Sequence, residues 1–582
     1  MTTSHPAVAA ATGARARAVA IGGEWRPLVL LLALGLPLLF AALDLELLDP
    51  DEGLYADIAR TMYVSGDWVL PRFNGLPYLE KPPLLFWLGA LTMRGDLAEW
   101  PLRLWSALAA LGTVLLTWRI GRHLYGDRAG LLAGVAMITM VGNALYVRKL
   151  STDFVFVFCL TLVMYGLTRD ASAGERGRGR FLWCYAGAAL ALLSKGLIGL
   201  VFPALIVGLA LAWTRTLTVR DLNLGCGSAV FTALALPWHA AAAWREPALF
   251  HFYVVDNQIL RFLGGRGVVE DDVPMSTLGF LAVSFVWMFP WGVFLLARRA
   301  AGGARTDGWR ALPVIWAAVI VIFFAMSRSK LEYYAVPAFP AVAILAGAAW
   351  ASGRDIGRWL AVGLGGVVAF GLACLGLALR LTPEQTLFGL AELNVYYRIL
   401  REQGLPLPFA SVQPFATLLG GLGAVLVLGW GAAALCWMRA RPRAAFACVV
   451  AMSAGIATLV ITLLHVVEPH HSAKAVSAAI TARLGADDVV VHEGSLEYSA
   501  ALPFYTGRRV VIVNGARGDL DTASRLPEAR GYFVDRDGLA ALWPGPRRVL
   551  LVTQRPRARS VVGTLPSPVL IGQFGSRWLY SN

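Results

Sequence analysis

Two acids and a small set of cations carry the chemistry open to this sequence. Asp51 stands at the head of DEGLYADIAR, and Asp153, in VRKLSTDFVFVF, opens an apolar run. A carboxylate held at such a boundary can accept a proton from a hydroxyl or stabilise a developing positive centre. Lys81 lies in YLEKPP, where Pro82-Pro83 fix an extended turn before a short apolar helix. An ammonium beside lipid suits a phosphate as a point charge. Arg60, Lys195, Arg261 and Lys330 are further candidate phosphate partners, and Tyr78, Glu80 and Asn257 stand near Lys81 and Arg261 in the chain. A purely structural reading competes with each. Asp51, Glu52 and Asp153 could do no more than cap helices, and some of the five cations could be snorkelling interfacial side chains.

Metal chemistry has weaker signals. His251 and the group His465, His470 and His471 lack ligand spacing. Asp49-Pro50-Asp51 has the DxD spacing of a metal-bound sugar nucleotide site, but its loop is expected to face away from the cytoplasm, where such nucleotides reside. No cofactor is required, and a divalent metal stays open. The six cysteines lie in or beside apolar runs without a CxxC pair and read as small buried hydrophobes.

The elements that must position these residues follow from composition. The chain has 582 residues, 57% hydrophobic and 15% charged, with a mean hydropathy of +0.61. Soluble proteins carry about 25% charged residues, so this chain lives largely in a lipid bilayer. Its net charge of +14 is spread over short loops between apolar runs, which excludes nucleic acid as the partner. Thirteen runs have the length or composition of membrane spans: 27–43, 101–121, 128–147, 153–168, 181–193, 195–213, 224–243, 274–297, 311–326, 333–351, 358–380, 411–437 and 445–466. Residues 1–26 form a cytoplasmic disordered arm, and the first span is not followed by a cleavage site.

Each even-numbered span ends in a basic cluster, such as Arg119/Arg122/Arg128, Arg215/Arg220 or Arg439/Arg441/Arg443. The positive-inside rule places those loops in the cytoplasm. Asp51, Glu80, Lys81, Asp153, Lys195, Arg261 and Lys330 then share the opposite face. The loop 44–100 on that face is expected to carry helices in the membrane interface, because Leu54, Ile58 and Met62 with Tyr55, Ala59 and Tyr63 make one apolar side. HFYVVDNQILRFLGG reads as another interfacial helix. Residues 27–466 form the transmembrane catalytic part. Residues 467–582 alternate β-rich runs (Val489–His492, Arg509–Val513, Arg548–Val552) with helix-like stretches and read as a small α/β domain on the same outer face.

These residues, in this order, resemble the lipid-carrier-dependent glycosyltransferases of GT-C type. The aminoarabinose (lipid A) transferase family is the closest match, and protein O-mannosyltransferases are more distant. The pieces that carry the resemblance are DEGLYADIAR, SGDWVLPRFNGLPYLEKPPLLFWL, the Arg148 to Asp153 segment, LLSKGLIGLVFP, FYVVDNQILRF, SRSKLEYYAVPAFPA and LPFYTGRRVV. The resemblance implies a polytopic helical enzyme of about thirteen spans in the bacterial inner membrane, with its site on the periplasmic side. It implies an inverting transfer of a sugar from undecaprenyl phosphate, or a similar polyprenyl phosphate, to lipid A or another envelope glycolipid. It makes Asp51 the principal catalytic residue and Asp153 its partner. Tyr78, Glu80, Lys81, Arg261 and Tyr334 become carrier-phosphate or sugar contacts. Glu332 stands where relatives often have Pro, and Asp256-Asn257 where some offer a His for metal.

Two other classes compete. A flippase or transporter would show intramembrane charges and repeated halves; no internal repeat is visible and the polar residues gather at one face. A surface-glycan ligase or polymerase would use the same kind of donor, and the Asp51 loop followed by the Glu80-Lys81-Pro82 turn favours the transferase over it.

Overall fold

The computed structural model describes residues 25–93, 97–172, 181–215, 218–263, 275–300, 308–391, 395–402, 404, 406–515 and 518–582. All but the end of the 1–26 arm lies outside the described residues, as do the basic residues Arg176, Arg178, Arg180 and Arg305. The apolar runs fold as helices because the backbone can satisfy its own hydrogen bonds only that way in lipid. Helices α1 (Trp25–Phe40), α2 (Asp51–Ser65), α3 (Leu84–Thr92), α4 (Trp100–Tyr125), α5 (Asp127–Ile138), α6 (Val141–Tyr146), α7 (Thr152–Ser172), α8 (Leu182–Lys195), α9 (Ile198–Thr214) and α10 (Leu224–Arg245) open the chain.

Among the described residues, seven helices are long and apolar enough to cross a membrane, and five apolar helices are shorter. The chain is thus a mostly helical, multi-pass membrane protein. Several expected spans are interrupted. The run 128–147 breaks at Thr139-Met140 between α5 and α6, and the run 274–297 is helical over Thr277–Trp287 and passes into a tighter 3-10 segment from Trp291. Pro290 sits at the second of these junctions and Pro313 in the first turn of helix Leu312–Met326, where a missing N–H costs least.

The loop after α1 packs its first helix into the protein. Glu52, Gly53, Leu54, Tyr55, Ala56, Asp57, Ile58 and Ala59 of α2 are all buried, while Tyr63 and Val64 near its end are exposed. α3 covers one side, and the segment around Ala500–Ala501 covers the other so closely that a Cβ on Gly53 would lie 2.2 Å from the Ala501 nitrogen. The apolar residues of the first turns of α2 therefore face protein on both sides, which periodicity alone does not reveal. Gly66, at φ 69°, ends the helix. A two-residue hairpin follows, β1 (Arg72–Phe73) against β2 (Leu76–Pro77), turned by Asn74 and Gly75 at φ 53° and 82°.

Beyond helix Pro442–His471 the chain builds a six-stranded mixed sheet. Its strands are β3 (Val489–Glu493), β4 (Val510–Val513), β5 (Phe533–Val534), β6 (Val549–Thr553), β7 (Val569–Phe574) and β8 (Arg577–Ser581), in the order β5-β4-β3-β6-β8-β7. β5, β4, β3 and β6 run parallel, with Val490 opposite Val510 and Leu550, and β8 is antiparallel to both of its neighbours, β6 and β7. The continuous apolar runs of β3, β4 and β6 fit strands covered on both faces. β5, only two residues long, and β7 and β8, whose sequences carry Gly and Gln or Arg, lie outside the strands expected from the sequence.

Candidate active site

The neighbours of Asp51 in the chain are pinned on both sides. Glu52, 1% exposed, receives Arg103 Nη2 at 2.7 Å and Nε at 2.9 Å, and its oxygens also accept the Leu48 and Leu150 amides at 2.9 and 2.6 Å. Losing one partner of such a buried pair costs about 3–5 kcal/mol. Asp49 accepts the Ala501 amide at 2.9 Å and Arg577 Nη2 at 2.8 Å. Burial pushes the Asp49 carboxyl up to about 7, while Arg577 and the Ala501 amide pull it back.

Asp51 itself keeps 39% of its side chain accessible and accepts Lys149 Nζ at 2.6 Å. Burial raises its carboxyl, but the charge and hydrogen bond of Lys149, helped by Lys81, hold it below the usual carboxylate range. Asp51 is thus a partly exposed carboxyl whose surroundings favour its charged form. Asp153, at the start of α7, is paired with Lys195 at the end of α8. The Tyr333 ring links the two pairs, with Lys149 Nζ 5.7 Å and Lys195 Nζ 5.3 Å from its centroid. Burial raises the neighbouring Glu332 carboxyl; Lys149 opposes this, and Asp51 and Asp153 add to it.

Two of the cations converge on Glu80. One Glu80 oxygen accepts both Lys81 Nζ at 2.9 Å and Arg261 Nη1 at 3.2 Å, so the two cations share a focus. Tyr78 donates to the other Glu80 oxygen at 3.3 Å, and Asn257 Nδ2 donates to the Glu80 carbonyl at 2.7 Å, tying the Phe252–Leu260 helix to the Glu-Lys-Pro-Pro turn. Lys81, Lys195, Asn257, Arg261 and Tyr334 line one cleft of about 90 Å³. Phe323 belongs to this cleft and also to an apolar groove of about 590 Å³ between α9 and helix Leu312–Met326. Cations at one end and an apolar groove at the other match an amphiphile with an anionic head and a hydrocarbon tail. Among the described residues no group of three or more His, Cys, Asp or Glu is placed to hold a metal ion.

The chain is 30% identical over 516 residues to the undecaprenyl phosphate-alpha-4-amino-4-deoxy-L-arabinose arabinosyl transferase of Pseudomonas aeruginosa, covering 86% of this chain and 87% of the relative. It belongs to that transferase family. The Edwardsiella ictaluri member is 26% identical over 550 residues, covering 89% of this chain and 91% of its own. The crystal structure of ArnT from Cupriavidus metallidurans bound to undecaprenyl phosphate superposes with a TM-score of 0.79 at 25% identity, over 95% of this chain and 97% of that one. Residues 80–240 also match the family described as dolichyl-phosphate-mannose-protein mannosyltransferase. The resemblance read from the motifs thus extends over nearly the whole chain.

Within this arabinosyl transferase fold, the sequence candidates divide into two groups. Asp51, Tyr78, Glu80, Lys81, Asp153, Asn257, Arg261 and Tyr334 gather around the cleft and its bordering pairs. Arg60 does not line the cleft; its guanidinium holds buried Asp57 at 2.9 Å. Lys330 is also off the cleft lining, and its ammonium donates to the Ser327 carbonyl. Sequence reasoning missed Lys149, Arg103, Tyr333 and Arg577. Only the first had a signal, as one of two adjacent cations before Asp153.

Proposed function

We propose that the chain is an inverting glycosyltransferase that moves a sugar from a polyprenyl phosphate carrier, undecaprenyl phosphate in the first instance, to lipid A or another envelope glycolipid. One observation carries the reading: a partly exposed Asp51, paired with Lys149, stands beside a cation cleft that runs into an apolar groove. The carrier phosphate is held by Lys81 and Arg261, with Lys195 on the same cleft wall, and the isoprenoid tail follows the groove past Phe323. The acceptor oxygen bonds to the anomeric carbon on the face opposite the phosphate. The bond from that carbon to the phosphate oxygen breaks, and its electron pair leaves with the carrier. The cations stabilise that developing charge. Where the acceptor is a hydroxyl, Asp51 takes its proton; where it is already an anionic phosphate, Asp51 steadies the positive anomeric centre. Asp153 keeps Lys195 in place between the two acids. Tyr78 and Asn257 set the Glu80-Lys81 turn, and Tyr334 forms a sugar-facing wall.

In this reading the chain spans the bacterial inner membrane thirteen times. The cleft and residues 467–582 face the periplasm, in keeping with the basic loops expected in the cytoplasm. Support for a transferase over a flippase comes from the location of the charges: Asp51, Asp153 and Lys195 sit at helix ends, not at mid-helix. The test is mass spectrometry of envelope lipids, lipid A included, from cells with the wild-type chain, Asp51→Asn, or neither. A sugar-sized mass lost in both the null and the variant is expected, with the variant still in the membrane. Full modification with Asp51→Asn would remove the catalytic assignment, and no lost glycolipid in the null would remove the acceptor class.

A further inference from the structure

Arg577 lies five residues before Asn582, on β8, yet its guanidinium reaches the loop that holds Asp51. It is 1% exposed and bonded in every direction. Nε donates to Ser499 Oγ at 2.8 Å, and Nη1 to the Ser472 carbonyl at 2.9 Å and the His470 carbonyl at 3.3 Å. Nη2 donates to Asp49 Oδ2 at 2.8 Å, the Tyr498 carbonyl at 2.6 Å and the His471 carbonyl at 3.2 Å. One side chain thus joins three parts of the chain: the end of helix Pro442–His471, the segment after β3, and the residue two places before Asp51. A guanidinium fork can do this where an ammonium cannot.

Asp49 transmits the constraint. Its second oxygen takes the Ala501 amide, its own N–H donates to the His471 carbonyl at 3.3 Å, and Pro50 is all that separates it from Asp51. Three residues further on, Gly53 leaves no space between α2 and the Ala500–Ala501 backbone. The cation cleft is built from other elements, and neither Asp49 nor Arg577 lines it.

We infer that Arg577 is a positioning residue for the transfer reaction: through Asp49 it fixes where Asp51 stands, so the C-terminal strand belongs to the catalytic apparatus while taking no part in binding the carrier. This rests on the transferase reading. Misplacing a reacting group by about 1 Å can cost about 10²-fold in rate, whereas the carrier phosphate is held by groups that Arg577 does not touch.

The experiment uses the full chain in detergent, with Arg577→Lys and Asp49→Asn. Radiolabelled undecaprenyl phosphate measures affinity and sites per chain, and single-turnover transfer from a polyprenyl phosphate sugar measures the chemical step. The expected result is one carrier site per chain with affinity within about threefold of wild type, and a chemical step slowed about 10²-fold. The double variant should be no slower than the worse single, since both act through one contact. A variant with the wild-type chemical rate would overturn the proposal. So would a rate loss matched by an equal loss of carrier sites, which marks unfolding. Failure of the transferase reading looks different: the wild-type chain would bind carrier but transfer nothing.

Discussion

Asp51 keeps its charge because the Lys149 ammonium lies 2.6 Å away; without it, burial is the largest influence left on the carboxyl and the proton is held more tightly. The sign follows directly. A base is active when deprotonated, so raising its proton affinity moves the acid side of the rate profile to higher pH. Lys149→Met is therefore expected to lose activity on acidification at a pH where the wild-type chain still works, and to approach wild-type rates under alkaline conditions. Asp51→Asn should instead lose about 10²–10⁴-fold across the pH range where wild type is active, with no recovery under alkaline conditions. Rate profiles of the three purified proteins make the comparison, and superimposable profiles for Lys149→Met and wild type would sink it. The acids and the cleft cations were legible in the sequence because each breaks an apolar context beside a helix end. Lys149 was not, because VRKLSTD offers two neighbouring cations and no rule says which turns inward. Arg148 goes to the Ala144 and Leu38 carbonyls, while Lys149 crosses to Asp51, 98 positions earlier in the chain.

The β1-β2 hairpin shows how a short element fixes a long-range contact. Asn74 takes φ 53°, a left-handed conformation that Asn tolerates better than most residues, and Gly75 follows at φ 82°. So placed, the Asn74 amide mimics a strand: Nδ2 donates to the Val510 carbonyl at 2.8 Å, and Oδ1 accepts the Val510 amide at 2.9 Å. Its own N–H donates to buried Asp57 at 2.8 Å. Asn74→Ala leaves both Val510 groups without these partners and strains the turn. Each such unsatisfied buried group costs about 1–3 kcal/mol, so a loss of about 2 kcal/mol or more in stability is expected, read as a lower melting temperature in detergent. Asn74→Gly, which relieves the turn but not the lost bonds, should recover only part of it. If Asn74→Ala melts with wild type, the contact contributes nothing. A turn at Asn74-Gly75 is visible from the residue pair alone; its partner on β4, 436 positions away, is not. The same limit explains α2, whose apolar spacing was legible but whose covering partner was not.

At the scale of the whole molecule, the C-terminal sheet and the helical part behave as one body because their contacts are buried and spread along the interface. Tyr505 donates to Glu99 at 2.9 Å and accepts the Leu47 amide at 3.1 Å, Lys474 pairs with Glu99 at 2.7 Å, and Asn74 and Arg577 add the bonds already described. The hydrophobic core is continuous across the same boundary, running from Leu54 and Phe86 to Leu502, Phe504 and Val510. A ligand that binds only the folded helical part should then protect the sheet as well. A ligand at about 100 times its Kd adds about 2.7 kcal/mol to unfolding, and this gain should reach the amides of β3, β4 and β6, far from the cleft. Hydrogen exchange with and without undecaprenyl phosphate measures it: slower exchange in those strands, matching the rise in the global melting point, is the expected result. Were the sheet to exchange and melt independently of the carrier, the two parts would be loosely tethered units. Arg577 could not then hold Asp51 in place from the far end of the chain.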